Sequence, residues 1–426
     1  MTYLLYDILL HLSIIILLPY FVFKMFWVRK YREGIAERFG FIKGEKLGAL
    51  GGSPVVWVHA VSVGETKAAL PVLKLLKERR PGVRIVFSTV TQTGNRTAEK
   101  EGAGLIDALI YFPLDLSWVV KRVVSRLKPK VCVIVEKEVW PNLLRRLKGL
   151  DVPVVVINGT ISERSFRRFL AFKFFFREVF GMVSLFSART AEDRERAAAV
   201  GVKEDRAVAT GNIKFDLKPP SADPSYLDSL KSSIGIDLRD RTIVAGSTHA
   251  GEEEIIIRVF SSLVDEFKGL KLIIAPRHPE RFQEVEAIIK KSGAPYARRS
   301  RGGAAPIVLL DTVGELMNVY SFAAVAFVGG SLVDGIGGHN LLEPAYFGVP
   351  VVYGSRLSAY LGMAEMLEAA GGGIRVGDEA SFKAALKRLL SDDRFRASAG
   401  ASARRVVEAN RGAAVRTVAI IERFLG

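Results

Sequence analysis

The chain reads as an α/β protein of two doubly wound domains preceded by an apolar helix. Three observations predict this. Short runs rich in Val and Ile recur along the chain, separated by segments of helix length, the pattern of βαβ units and of parallel sheets covered on both faces. A length of 426 residues exceeds what one hydrophobic core usually serves. The strand rhythm stops once, over residues 217–235 (LKPPSADPSYLDSLKSSIG), where Pro and Ser cluster. These readings divide the chain into an anchor over 1–30, a first domain over 31–218, a linker over 219–240 and a second domain over 241–426.

The apolar helix comes first. From Tyr3 to Phe23 the chain is broken only by Asp7, His11, Ser13 and Pro19, and about 20 helical residues suffice to cross a bilayer core. A cleaved signal peptide would carry its basic residues before the apolar run. Here Lys24, Arg29, Lys30, Arg32 and Arg38 follow it and residues 1–6 have none. Positive charge stays on the cytoplasmic side, so the segment reads as an uncleaved membrane anchor with the domains in the cytoplasm. A helix lying in the interface, or packed on the first domain, is the alternative.

Strands are expected at Val55–His59, Arg84–Thr89, Ala108–Phe112, Val131–Val135, Val154–Ile157 and Met182–Phe186 in the first half. In the second half they are expected at Thr242–Ala245, Leu270–Ala275, Pro306–Leu310, Val325–Val328 and Val349–Tyr353. Ligands of doubly wound folds bind at the carboxyl ends of the strands, so two such domains facing each other predict a site in a central cleft.

The single cysteine, Cys132, lies inside an apolar run and cannot form an internal disulfide, which fits a reducing compartment. A net charge of +16 calls for an anionic partner. No zinc spacing, heptad repeat or RNP-type strand supports nucleic acid, which leaves an anionic lipid surface. Ser165–Phe180 interleaves Arg167, Arg168, Lys173 and Arg177 with seven phenylalanines. That composition suits a helix at a headgroup boundary or a core helix with a basic edge.

Polar residues gather after the strands. Val55–His59 leads to Ser62, Gly64 and Glu65; Gly64 permits a tight turn and Glu65 then opens a helix. There the dipole favours its ionised form, as a general base or as a plain cap. Val131–Val135 leads to Glu136 and Glu138, two apart and so on one face if the strand continues. They suit binding of sugar hydroxyls, sharing of a proton, metal coordination, or a structural cluster neutralised by Lys137. In the second half Ser247 or Thr248 suits a helix cap. Arg277, with His278 beside it, suits a phosphate. Gly329, Gly330 and Ser331 allow close backbone approach to a ligand, and Asn340 and Glu343 follow, with Glu343 suited to ribose hydroxyls. The glycine spacing is not GxGxxG, which excludes a dinucleotide fingerprint. His59, His249, His278 and His339 all fall at strand ends, which predicts a shared polar cleft. No HxxxH, HxH or DxD is present, so a reaction without metal or other cofactor is expected.

The strings HAVSVGE (His59–Glu65), EKEVWPN (Glu136–Asn142), GNIKFD (Gly211–Asp216), STHAGEEE (Ser247–Glu254), PRHPERF (Pro276–Phe282), FVGGSL (Phe327–Leu332) and GGHNLLEP (Gly337–Pro344) together resemble the Kdo (3-deoxy-D-manno-octulosonic acid) transferase family, in family order. The resemblance implies a GT-B glycosyltransferase with two Rossmann-like domains. It implies inverting transfer of Kdo from CMP-Kdo to the glucosamine disaccharide of a tetraacylated lipid A precursor, in lipopolysaccharide core synthesis. It gives Glu65 the role of catalytic base, with Ser62, Gly64, Glu136 and Glu138 on the acceptor side. Arg277, His278, Gly329, Gly330, Ser331, Asn340 and Glu343 fall to the CMP side. Departures fall at Leu341, where Pro is usual, at Lys137, where Thr is common, and at Asn158–Ser162, which lacks the family's arginine. The rival readings are a GT-B transferase using a UDP-sugar and a lipid acceptor, and a tethered binder that has lost catalysis. Retention of Glu65, Arg277 and Glu343 together speaks against the second.

Overall fold

A computed structural model describes residues 2–27, 33–216, 223–237, 240–358 and 360–426. The chain divides into two compact units, Met1–Leu217 with Arg411–Gly426, and Lys218–Asn410.

The first unit is built on β1 (Val55–Ala60), β2 (Arg84–Thr89), β3 (Ala108–Tyr111), β4 (Val131–Val135), β5 (Val154–Gly159), β6 (Leu185–Ala188) and β7 (Ala207–Ala209). They form one sheet in the order β3-β2-β1-β4-β5-β6-β7, every pairing parallel. Alternate side chains of a strand face opposite sides, and both sides here are apolar. Trp57, Cys132, Ile134 and Val156 enter one core with Leu143 and Leu147. Val56, Val58, Val133 and Val155 enter the other with Val72 and Leu76 of the helix Val63–Arg79.

The second unit repeats the scheme with β8 (Arg241–Thr248), β9 (Leu270–Pro276), β10 (Tyr296–Arg298), β11 (Ile307–Leu309), β12 (Val325–Val328), β13 (Val351–Gly354) and β14 (Gly373–Val376). The order is β10-β11-β9-β8-β12-β13-β14, again parallel throughout. In both sheets the chain reverses direction of growth beside the first strand, between β1 and β4 and between β8 and β12. Such a switch point leaves a crevice at the carboxyl ends where ligands bind.

Several boundaries differ from the sequence reading. Strands β7, β10 and β14 were not expected, because they are short edges of three or four residues that are partly exposed and carry no long apolar run. The strand expected at Met182–Phe186 is Leu185–Ala188; Met182 and Val183 are buried in the turn before it. Part of the expected linker is a helix, Pro224–Ser233, capped by Asp223 and packed into the second unit through Leu230 and Ile234. Residues 217–222 lie outside the described residues.

The last stretch of chain, expected in the second domain, belongs to the first. The helix Ala413–Glu422 packs against Val63–Arg79 and buries Ala414, Val418 and Ile421 in the first unit's core. Asp216 fixes its start, accepting from Gly412 N–H and Ala414 N–H at 2.6 Å each. Arg79 and Arg80 hold Glu422.

The N-terminal apolar segment is a helix over Thr2–Trp27. Among the described residues no helix is long and apolar enough to cross a membrane. Arg29, Lys30 and Arg32 of the expected basic flank lie outside the described residues. Ser165–Phe180 is not one helix but parts of two, Glu163–Ala171 and Lys173–Phe180, broken at Phe172. Phe166, Phe169, Phe175, Phe176 and Phe180 pack on the core. Phe172 and Phe174 are exposed, so the segment divides between the two readings offered for it.

Candidate functional site

In the first unit the switch point carries a charged cluster. Helix Val63–Arg79 starts after β1, and Glu65 stands in its first turn. Its carboxylate bends back to accept Val61 N–H at 2.5 Å, an amide that lies before the N-cap, so the bond ties the preceding loop to the helix and is not a cap of its first amides. Glu65 is also 6% exposed. Burial, opposed by the backbone bonds and reinforced by Glu136 and Glu138, raises its proton affinity to a pKa of about 7. A carboxyl poised there serves as a base near neutral pH. Gly64 makes no tight turn. It lies in the helix with no positive φ, and a side chain there would meet only Ser62 Oγ at 4.0 Å, so it leaves space beside Glu65. Ser62 is the N-cap without a side-chain cap bond.

Glu136 leaves β4 in the left-handed region, φ 69°. It does not continue the strand, so Glu136 lies in a turn and Glu138 in the loop after it, rather than both on one strand face. Glu136 pairs with Arg189 and, at 3.6 Å, with Lys214 Nζ. Arg189 Nε also donates to Asn158 O at 3.1 Å. The neutralising charges are therefore Arg189 and Lys214. Lys137 acts on Glu138, whose pKa burial raises. Burial lowers the pKa of Lys214, which Glu136 partly restores. Arg189 and Lys214 were missed as site residues. Arg189 directly follows β6, so the rule of polar residues after apolar strands extends to it. It also supplies a guanidinium beside the Asn158 loop, where the sequence alone had shown none.

His59 does not join this cluster. It is wholly buried, stacked on Phe112 with centroids 3.7 Å apart, and its Nδ1 lies 3.1 Å from Ser88 Oγ. Burial drops its pKa to about 3, so it is a neutral core residue and the expectation of four clustered histidines fails here.

The other three histidines do meet, at the switch point of the second unit. His249 and His339 are stacked, with planes 6° apart and Nε2 atoms 2.8 Å from each other. His278 meets His249 edge-on at 5.4 Å. Burial, then neighbouring His and Arg charge, lowers both His249 and His339, the latter to about 4. Both rings are thus neutral at pH 7, and Arg277, exposed beside them, supplies the positive charge. Arg281 braces this loop through the fully buried Glu253, Nη1 to Oε1 2.7 Å.

Gly329, Gly330 and Ser331 follow β12, but their amides are engaged. Glu252, fully buried, accepts His249 N–H (2.9 Å) and Gly330 N–H (2.7 Å) on Oε2, and Ser331 N–H and Leu332 N–H (3.0 Å each) on Oε1. Glu252 therefore shapes the loop from inside. Ser331 is buried; its Oγ donates to Val328 O and accepts from Gly354 N–H. Gly329 is needed because a Cβ would sit 2.5 Å from Ser247 O. Ser247 and Thr248 end β8 and do not cap the next helix, whose N-cap is Gly251. Asn340 donates to Glu343 Oε1 at 3.4 Å, and Glu343 stands half-buried in the first turn of Leu342–Tyr346. Among the described residues no group of three or more His, Cys, Asp or Glu is placed to hold a metal ion.

Two parallel seven-stranded sheets, each with its polar groups at the switch point, define a protein of the two-domain glycosyltransferase architecture. A glycosyltransferase from Rickettsia africae shares this fold, with a TM-score of 0.60 over 88% of this chain and 99% of that one, at 13% identity. Residues 33–217 match the family described as 3-Deoxy-D-manno-octulosonic-acid transferase (kdotransferase). A 3-deoxy-D-manno-octulosonic acid transferase of Haemophilus influenzae is 34% identical over 93% of this chain and 92% of its own length. One from Bordetella pertussis is 31% identical over 94% and 95%. The chain belongs to the 3-deoxy-D-manno-octulosonic acid transferase family, and it is a glycosyltransferase.

Proposed function

We propose that this chain moves Kdo from CMP-Kdo to the glucosamine disaccharide of a tetraacylated lipid A precursor, with inversion, in lipopolysaccharide core synthesis. Family membership supports the transferred sugar. The observation that carries the chemistry is Glu65, a buried carboxyl with a pKa of about 7. It takes the proton of the acceptor hydroxyl as that oxygen bonds to the anomeric carbon of Kdo. The bond from that carbon to the CMP phosphate oxygen breaks, and its electron pair leaves with CMP. Arg277 stabilises the charge developing on the phosphate, with His278 beside it. Fixed donors of this kind are usually the largest single contribution. Asn340 and Glu343 hold the nucleotide, with Glu343 at the ribose. Gly329, Gly330 and Ser331 shape the floor of that site. Ser62, Gly64, Glu136 and Glu138 line the acceptor side, which Arg189 and Lys214 make less negative.

The chain works at the cytoplasmic face of a bacterial inner membrane, held there by residues 1–30. A net charge of +16 suits the anionic lipid surface and the anionic acceptor.

The test is a transfer assay with fresh CMP-Kdo, the tetraacylated precursor and EDTA, read by mass spectrometry. Added mass in Kdo units is expected. No product from active donor, where a family member of known activity succeeds, overturns the reading and turns attention to UDP-sugars.

A further inference from the structure

The helix Thr2–Trp27 is bonded by its first turns to the domain that follows it. Tyr6 Oη donates to Asp115 Oδ2 at 3.1 Å. Asp7 accepts from Ser117 N–H (3.1 Å), Ser117 Oγ (2.8 Å) and Asn142 Nδ2 (2.7 Å). Asp115 in turn accepts the amides of Asn142 and Leu143. Tyr3 is buried, with Phe175 against its ring and Arg145 over it. Beyond the other end, Glu33 accepts from Tyr111 Oη and Arg96 of the same domain. A helix crossing a bilayer separates its ends by about 30 Å of hydrocarbon, and one domain cannot bond to both ends of it. A lone Asp at such depth would also be costly.

Among the described residues, the exposed side chains of the helix are mostly apolar, with Ser13 the polar exception. Leu5, Ile8, Leu9, Leu12, Ile15, Ile16 and Leu17 are exposed. The neighbouring helix Lys173–Phe180, which touches Tyr3 and Tyr6 through Phe175, exposes Phe174 at 71% and follows exposed Phe172. Arg164, Arg167, Arg168 and Lys173 surround these rings in sequence. Apolar side chains beside basic ones match the boundary between acyl chains and anionic headgroups.

We propose that the helix Thr2–Trp27 is an in-plane anchor. It lies in the lipid interface on the same side as the first unit, locked to it by Tyr6 and Asp7, and does not span the bilayer. This rests on the membrane location proposed above.

The test uses the full chain in bacterial membranes, with Asp7→Cys and Ser117→Cys combined and a short bis-maleimide as probe. The only native thiol, Cys132, is buried. Intramolecular cross-linking in the membrane pellet is expected, together with protection of Thr2→Cys from an impermeant maleimide in intact spheroplasts. Exposed Glu99→Cys reports the first unit's side. No cross-link in an active double variant, or labelling of Thr2→Cys from outside, overturns the in-plane arrangement and leaves membrane location standing. Recovery of the wild-type chain in the soluble fraction removes the membrane reading itself, and this proposal with it.

Discussion

Replacing Glu65 by Gln separates two consequences of its position. The fold holds this carboxyl at a pKa of about 7 against an ordinary 4.5, chiefly by burial. Between those values the folded protein binds the proton and the unfolded chain does not, so stability falls as pH rises. Each pKa unit corresponds to 1.36 kcal/mol, so the cost at pH 8 is on the order of 3 kcal/mol. It is absent below pH 4.5 and complete above pH 7. Gln carries no such proton, and its Oε1 still accepts Val61 N–H. Glu65→Gln should therefore match the wild type near pH 4.5 in urea unfolding, become progressively more stable up to about pH 7 and hold that advantage at pH 8. The same variant should lose turnover by about 10²–10⁴-fold, the usual contribution of a general base. Wild-type turnover should rise with pH through about 7. A stability difference that does not change between pH 4.5 and 8 refutes the raised proton affinity, and unchanged turnover refutes the role as base.

Three further substitutions test the supporting contacts. Arg189→Ala removes a positive charge from the Glu65–Glu136 cluster, so the acid limb of the pH–rate profile should move to higher pH; a profile that stays in place would show that Arg189 does not act on the base. Glu252→Gln should be nearly as damaging as Glu252→Ala, because the new NH2 faces N–H donors. Each buried amide left unpaired costs about 1–3 kcal/mol, so CMP affinity and thermal stability should fall together, and a fully stable Gln variant contradicts the four-bond arrangement. Asp216→Ala should lower the stability of the first unit by roughly 1–2 kcal/mol, as loss of a helix cap does, read as a shifted urea midpoint.

The strands that flank the switch points were legible because they are covered on both faces and so are largely apolar runs rich in Val and Ile, as in Val131–Val135. Edge strands such as Tyr296–Arg298 carry no such run. Glu65 was legible from its place between a strand and a helix, and Arg277 from the same rule. The partners of Glu136 were not, because Arg189 comes from the loop after β6 and Lys214 from the 3-10 turn Ile213–Asp216 after β7, distant in sequence and brought together only by the sheet order. Glu136 itself misled, since alternation on a strand face assumes an extended backbone and the chain turns left-handed there. The Gly329–Ser331 loop misled differently. Its glycines are explained by close approach, of Gly329 to Ser247 and of Gly330 to Ile336 and His339, while the amides of Gly330 and Ser331 serve Glu252, a residue whose side chain nothing local marks as an internal acceptor. His59 shows the limit of counting residue types: its place at a strand end resembles that of His249, yet Phe112 and Ser88 enclose it.

The return of the helix Ala413–Glu422 to the first unit makes the second unit an insertion within it. During synthesis the first sheet and the helix Val63–Arg79 emerge early, with the surface that will receive Val418 and Ile421 still uncovered. Residues 218–410 must then be translated before the covering helix exists, on the order of ten to forty seconds at roughly 5–20 residues per second. Over that interval the nascent first unit presents an apolar groove of the kind chaperones bind. An expression fragment ending at Leu217 would present the same groove permanently, and joining residues 411–426 to it through a short flexible linker is the way to close it.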